Sequence, residues 1–157
     1  MEKILKAIVP LLTPTGKVIV PIEIIYDDNE VLASPKSEIS LLYDGIEYRG
    51  NGADYLWTDT LADLQTKLPE DVKFACCMTC RHGNMCPYGN IENQLFCTKD
   101  IKITGKADMC DLFDQTDPFE KRVVASFDYC DDFIYQSDDY YTYNDYLYQL
   151  EKKKAGS

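Results

Sequence analysis

Seven cysteines and one histidine carry the most distinctive chemistry of this chain. Six cysteines crowd between Cys76 and Cys110, and Cys130 follows alone. Five of them run Cys77-x2-Cys80-x5-Cys86-x10-Cys97-x12-Cys110. A Cys-x-x-Cys turn lets two thiolates reach one tetrahedral ion while the turn amides face the sulfurs. Arg81-His82-Gly83-Asn84 supplies a turn after that pair, and Pro87-Tyr88-Gly89-Asn90 supplies another after Cys86. Cys77, Cys80, Cys97, Cys110 and Cys86 are therefore candidate metal ligands, five thiols for four places. Cys77 and Cys80 form the pair and Cys97 comes next. The last place lies between Cys110 and Cys86. Zinc, as a structural staple of irregular loops, is the first reading. An iron–sulfur cluster on four thiolates is the second. Free half-buried thiols and disulfides are the remaining alternatives, although an odd count without an export signal argues against a disulfide scaffold.

Other chemistries have less support. Redox Cys-x-x-Cys sites open a helix whose amides lower the thiol pKa, whereas Met78-Thr79 lies between β-like residues 72–75 and a Gly-Asn turn. His82 is the sole histidine, so any histidine base must be this residue. It reads as a loop residue or a substitute ligand rather than a catalyst. Neither a zinc-protease motif nor a phosphate-binding glycine loop occurs. Asp131-Asp132 and Asp138-Asp139 lack the spacing and glycine of an EF-hand and read as a solvated acidic face.

Charge narrows the partners. Sixteen Lys and Arg stand against 27 Asp and Glu, a formal net charge of −11. Such a surface repels phosphate backbones and anionic membranes, which excludes direct nucleic-acid binding and membrane association from the expected roles. It suits a basic protein partner. With 45% hydrophobic residues the chain has material for a core. Met1 to Lys6 lacks the apolar stretch of a secretion signal, and a soluble, cytoplasmic protein is expected.

The elements that must position the cysteines are legible in part. Val18, Val20, Ile22, Ile24 and Tyr26 alternate with Ile19, Pro21, Glu23 and Ile25, and Ile4–Leu12 is a second strand, joined through Thr13-Pro14-Thr15-Gly16. Pro10 and Pro21 predict unpaired stretches. Asp44-Gly45 between Leu41-Leu42-Tyr43 and Ile46-Glu47-Tyr48 predicts a type I′ hairpin. Residues 27–37 read as a loop. Trp57, Leu61, Leu64 and Leu68 form one helical stripe, with Asp59 and Asp63 early, Lys67 late and Pro69 as the stop. Trp57 is expected to pack that helix onto the sheet. Residues 122–127 read as a late strand, and Cys110-Asp111-Leu112-Phe113 as the opening of a short helix. From Ser126 to Leu150 there are six Asp, seven Tyr and no Lys or Arg, and Tyr143, Tyr146, Leu147 and Leu150 suit a terminal helix closed by Lys152-Lys153-Lys154.

The expected architecture is α+β: a mostly antiparallel sheet, one packed amphipathic helix, a cysteine-rich loop module and a C-terminal helix. The expected organisation is a single domain over 1–154, with a β-rich part at 1–50, the helix at 53–69, the cysteine module at 72–113 and an acidic, tyrosine-rich part at 119–154.

Trp57-Thr58-Asp59-Thr60-Leu61-Ala62-Asp63-Leu64-Gln65 with Leu68-Pro69, then Cys77-Met78-Thr79-Cys80-Arg81-His82-Gly83-Asn84 and Pro87-Tyr88-Gly89, resembles an uncharacterised bacterial family known only as a domain of unknown function. The layout, over roughly residues 55–113, is also similar to some immunity proteins of bacterial polymorphic toxins. That resemblance implies a small acidic protein that binds and blocks a basic toxin, and it carries no catalytic residues. The leading expectation is thus a non-enzymatic protein-binding module with a cysteine-bound metal, in which Tyr and Asp of the C-terminal part supply contact area and charge. An iron–sulfur redox or electron-transfer protein and a DNA-mimicking inhibitor of a nucleic-acid enzyme are the alternatives.

Overall fold

Period-two apolar alternation in the first 27 residues builds one long hairpin. A computed structural model describes residues 2–27, 36–53, 57–88, 94–114 and 119–156. Strand β1 (Glu2–Thr13) pairs with β2 (Gly16–Asp27) along its whole length, from Glu2 opposite Asp27 to Thr13 opposite Gly16. This register sets Leu5, Ala7 and Val9 across from Ile24, Ile22 and Val20, so both strands turn one face to the core. Strands β3 (Ser37–Tyr43) and β4 (Ile46–Gly52) form the second hairpin. Its turn residues Asp44 and Gly45 have φ of 52° and 78°, the paired positive values of a type I′ turn. Most of the expected 27–37 loop lies outside the described residues.

The two prolines shape the sheet edges. The β2–β3 ladder begins at Ile22 opposite Leu41, one residue past Pro21, which has no amide to donate. The Pro10 carbonyl accepts the Ala75 amide at 2.9 Å, so the missing Pro10 N–H faces the margin of the sheet. There the short β5 (Lys73–Phe74) pairs with Leu11 and Leu12, completing the order β4-β3-β2-β1-β5.

Helix α1 (Thr58–Lys67) covers one face of this sheet through Leu61, Ala62 and Leu64. It approaches β4 closely: a Cβ on Gly50 would lie 2.5 Å from the Leu64 amide nitrogen. The acidic residues of α1 also dress the open edge of β4. Asp63 accepts the Asn51 amide at 2.8 Å and Asp59 accepts the Ala53 amide at 3.1 Å, while Lys67 donates to the Arg49 carbonyl at 2.8 Å. Trp57 caps the helix with φ 63°, and its buried ring lies against Tyr26 of β2 and stacks on Phe127. Helix α3 (Tyr146–Ala155) packs on α1, with Tyr146 buried and Lys153 paired to Asp59 at 2.7 Å.

The other half is a small sheet in the order β6-β7-β8, made of Gly83–Asn84, Leu95–Cys97 and Val123–Val124. Helix α2 (Lys106–Asp114) starts four residues before Cys110 and packs Phe113 edge-on to Phe96, 4.8 Å between ring centres. Met78, Met85, Leu95 and Phe127 join the small sheet to the main core. The architecture is α+β with sheet predominant. Among the described residues no helix is long and apolar enough to cross a membrane.

Candidate metal centre

The Cys-x-x-Cys segment leaves β5 and folds into a single 3-10 turn, Cys77–Thr79. A buried threonine makes the turn. Thr79 Oγ1 donates to the Phe74 carbonyl at 3.0 Å and accepts the Cys76 amide at 3.3 Å. Beyond it the chain doubles back, with the Cys80 amide on the Cys77 carbonyl at 3.3 Å and the Gly83 amide on the Cys80 carbonyl at 3.1 Å. The His82 amide points to Cys80 Sγ at 3.5 Å, the N–H···S arrangement that stabilises a thiolate held by an ion. Gly83 is required here for space. A Cβ at that position would overlap the Cys77 carbonyl oxygen and stand 2.9 Å from its carbon. No α-helix opens at the pair, so the helix N-terminus that activates a redox dithiol is not what holds these thiols.

Strand pairing then delivers Cys97. Gly83 of β6 lies opposite Cys97 of β7, so the end of β7 runs alongside the knuckle. Alternation puts Leu95 and Cys97 on one face of the small sheet and Phe96 on the other. Phe96 faces α2, and Cys110 lies one turn before Phe113 on that helix. Cys110 therefore belongs to the opposite side of the small sheet from Cys97. It sits beside the Tyr88 hydroxyl, which donates to Asp114 at 3.1 Å and whose pKa is pushed up to about 12, first by that bond and further by Cys110. Cys86, half-buried, lies on the segment from β6 towards Tyr88.

Cys130 lies outside the five spacing candidates. The segment from Asp128 to Tyr135 arches along the knuckle and is bound to it at both ends. The Cys77 amide donates to the Asp128 carbonyl at 2.7 Å, and the Arg81 amide to the Ile134 carbonyl at 2.8 Å. Cys80 bridges Tyr135, and the Gln136 amide reaches the Thr79 carbonyl at 3.1 Å. Exposed Cys130 stands inside this arch. Lys99, just past β7, pairs with Asp132 of the arch at 3.0 Å. Cys130 stands 33 positions beyond Cys97 and belongs to no spacing motif with it.

Burial pushes the Cys77 thiol well up, with Cys76, Cys80, Asp128 and Cys97 adding in turn. Burial also raises Cys80, where Cys97 and Cys130 contribute. Cys76 rises to about 12 by burial; its sulfur faces Thr79 in the core. Among the described residues, no group of three or more Cys, His, Asp or Glu side chains is close enough together to hold a metal ion. His82 lies at the rim with its pKa lowered, first by burial. Its buried Nδ1 has no hydrogen-bond partner among the described residues, and its ring meets Tyr140 edge-on. An open depression of about 580 Å³ beside it is lined by Lys99, Asp131, Asp132 and Phe133. A second cleft, about 550 Å³, runs between α1 and α3 with Tyr135 and Lys73 at its wall.

No family model matches this chain, and neither does any curated protein or solved structure.

Proposed function

We propose that this chain is a non-enzymatic, acidic protein-binding module, an immunity-type inhibitor of a basic toxin, whose irregular half is stapled by a structural zinc ion on its cysteines. The observation that carries the binding role is the outer face of the five-stranded sheet. α1 covers the other face, and an uncovered antiparallel face is normally polar. Here it exposes Ile8 at 64% and Ile4, Ile19 and Leu42 at 59% each. Cross-strand register puts Ile8 against Pro21 and Ile19 against Pro10, an apolar patch set apart from Ile4 and Ile25 by the Lys6–Glu23 pair, on a chain of charge −11. Exposed apolar patches of this kind mark interaction surfaces, and the surrounding acidity favours a basic partner.

Calorimetry against a panel of basic toxin domains tests this role, with the double variant Ile8→Glu, Ile19→Glu beside the wild type. Salt-sensitive binding by the wild type, lost in the double variant, supports the role. Equal binding by both proteins, or none by either, overturns it.

The zinc reading is supported by the His82 amide aimed at Cys80 Sγ and by Gly83, whose missing Cβ leaves room for the knuckle. Cys77, Cys80 and Cys97 supply the thiolates. Elemental analysis of protein purified without a nickel column, with a visible spectrum, tests it. Zinc near one per chain without colour is expected. Iron with sulfide and visible absorption transfers the site to an iron–sulfur cluster, and a metal-free chain removes the staple.

A further inference from the structure

We propose that the chain self-associates through the open edge of β1, two copies pairing Glu2–Lys6 antiparallel about Ile4 into one continuous sheet. In the order β4-β3-β2-β1-β5, β1 meets β5 only at Leu11 and Leu12, with the Pro10 carbonyl taking the Ala75 amide. Alternate residues of a strand turn their backbone groups to the same side. Ile8, Lys6, Ile4 and Glu2 therefore present their N–H and C=O groups away from β2, as Pro10 presents its carbonyl. Among the described residues no strand takes them up. An open edge of this kind is a template for another strand.

The other margins are closed or short. Asp59, Asp63 and Lys67 of α1 occupy the edge of β4. The ladder from β2 to β3 leaves β2 open only before Ile22, where Pro21 lacks an amide and Lys17 lies over the Tyr129 ring at 4.3 Å.

The pattern on β1 selects its occupant. Leu5, Ala7 and Val9 turn to the core, which leaves Glu2, Ile4, Lys6 and Ile8 on the outer face, all exposed. Lysines on an edge strand normally repel a second strand. Here Glu2 stands four residues before Lys6, so self-pairing about Ile4 sets each Glu2 opposite the other copy's Lys6. Ile4 meets Ile4 at the two-fold axis, and the two exchange both backbone hydrogen bonds. Opposite charges and apolar β-branched pairs directly across strands are favourable. Centring on Leu5 would set each Lys6 against Ile4, and centring on Lys6 would bring like charges face to face. The strands run in opposite directions, so residues beyond Lys6 in each copy extend past the other's Glu2, and β5 does not obstruct the pair. So short a pairing gives a weak dimer, at the low end of specific interface sizes. The patch around Ile8 and Ile19 lies outside the paired stretch, and the inference does not depend on the toxin reading.

Sedimentation velocity of the full chain tests this, in reductant so that exposed Cys130 forms no cross-link. At physiological ionic strength, charges are screened beyond about 8 Å. Wild type is expected to pass from monomer to dimer as its concentration rises from micromolar towards millimolar. Lys6→Glu turns two attractive pairs into two repulsive ones and should weaken the dimer at least about tenfold. Glu2→Lys combined with Lys6→Glu restores opposite charges and should return affinity to within about threefold of wild type. Lys102→Glu makes the same change of charge at an exposed site away from β1 and should leave the dimer intact. Ile4→Pro removes an amide that β2 does not use and should give a monomer with native Trp57 emission. A wild type monomeric at every concentration overturns the inference, as does growth beyond the dimer. A double variant no tighter than Lys6→Glu, or an Ile4→Pro variant that dimerises like wild type, overturns the pairing. None of these outcomes bears on binding through Ile8 and Ile19.

Discussion

Replacing Gly83 by alanine adds one methyl group where the chain has no room for it. The new Cβ would overlap the Cys77 carbonyl oxygen and stand 2.9 Å from its carbon. Both atoms that must give way are backbone, so no side chain can rotate aside. Relief requires Gly83 to retreat from Cys77, which loosens the Gly83 amide bond to the Cys80 carbonyl, 3.1 Å, and the pairing of Gly83 with Cys97. Overpacking of this kind costs about 1–3 kcal/mol, and each weakened hydrogen bond adds about 0.5–1.5 kcal/mol. A loss of roughly 2–4 kcal/mol follows, large against a total near 5–15 kcal/mol. Urea unfolding followed by the buried Trp57 gives the readout. The midpoint should fall by about 1–2 M with an unchanged slope. Gly105→Ala, where an added Cβ meets nothing within 4 Å, is the matched control. It should stay within about 0.5 kcal/mol of wild type. A Gly83→Ala midpoint equal to that control would refute the tight knuckle and the cradle argued from it.

Gly50→Ala should destabilise by about 1–3 kcal/mol in the same assay, since its Cβ would stand 2.5–2.6 Å from the Leu64 amide nitrogen, Leu64 Cβ and the Thr60 carbonyl, forcing α1 off the sheet; an unchanged midpoint would mean that the helix is not seated on β4. Acid sensitivity should be traceable to Asp100. Its carboxyl is held below the ordinary range, first by the hydrogen bond from Arg122, which also donates to the Cys97 carbonyl at 3.1 Å. A depressed folded-state pKa gives stability that is complete above the unfolded value near 4 and is lost as pH falls through the folded value. With Asp100 61% exposed, the contribution is under about 1 kcal/mol. Urea midpoints of wild type and Asp100→Asn should therefore converge between about pH 4 and pH 2, and a gap that persists in acid would contradict the assignment.

Local pattern and tertiary placement contributed differently. Period-two alternation and Asp44-Gly45 specify both hairpins because side-chain period and turn φ are properties of adjacent residues. The stripe from Trp57 to Leu68 likewise specifies α1, although the helix itself spans Thr58–Lys67 and Trp57 caps it in a left-handed conformation. Asp59 and Asp63 were legible as early helix acids suited to the helix dipole. Their use as acceptors for the Ala53 and Asn51 amides depends on where α1 lies along β4.

The cysteines divide along the same line. Cys-x-x-Cys is a local signal, and the Cys77–Cys80 turn forms as its spacing predicts. Cys97 ends β7, whose register sets it opposite Gly83 just past the turn, and Cys110 lies on α2, whose Phe113 meets Phe96. Cys130 comes alongside through backbone bonds from Cys77 and Arg81 to a segment some 50 residues downstream. The sequence by itself determined the hairpins, the main helix, the acidic charge and the first two thiols, because each rests on neighbouring residues or on simple sums. Only the tertiary structure decided the strand order and which segments lie alongside that pair, because strand register and loop anchoring act between residues that spacing does not relate.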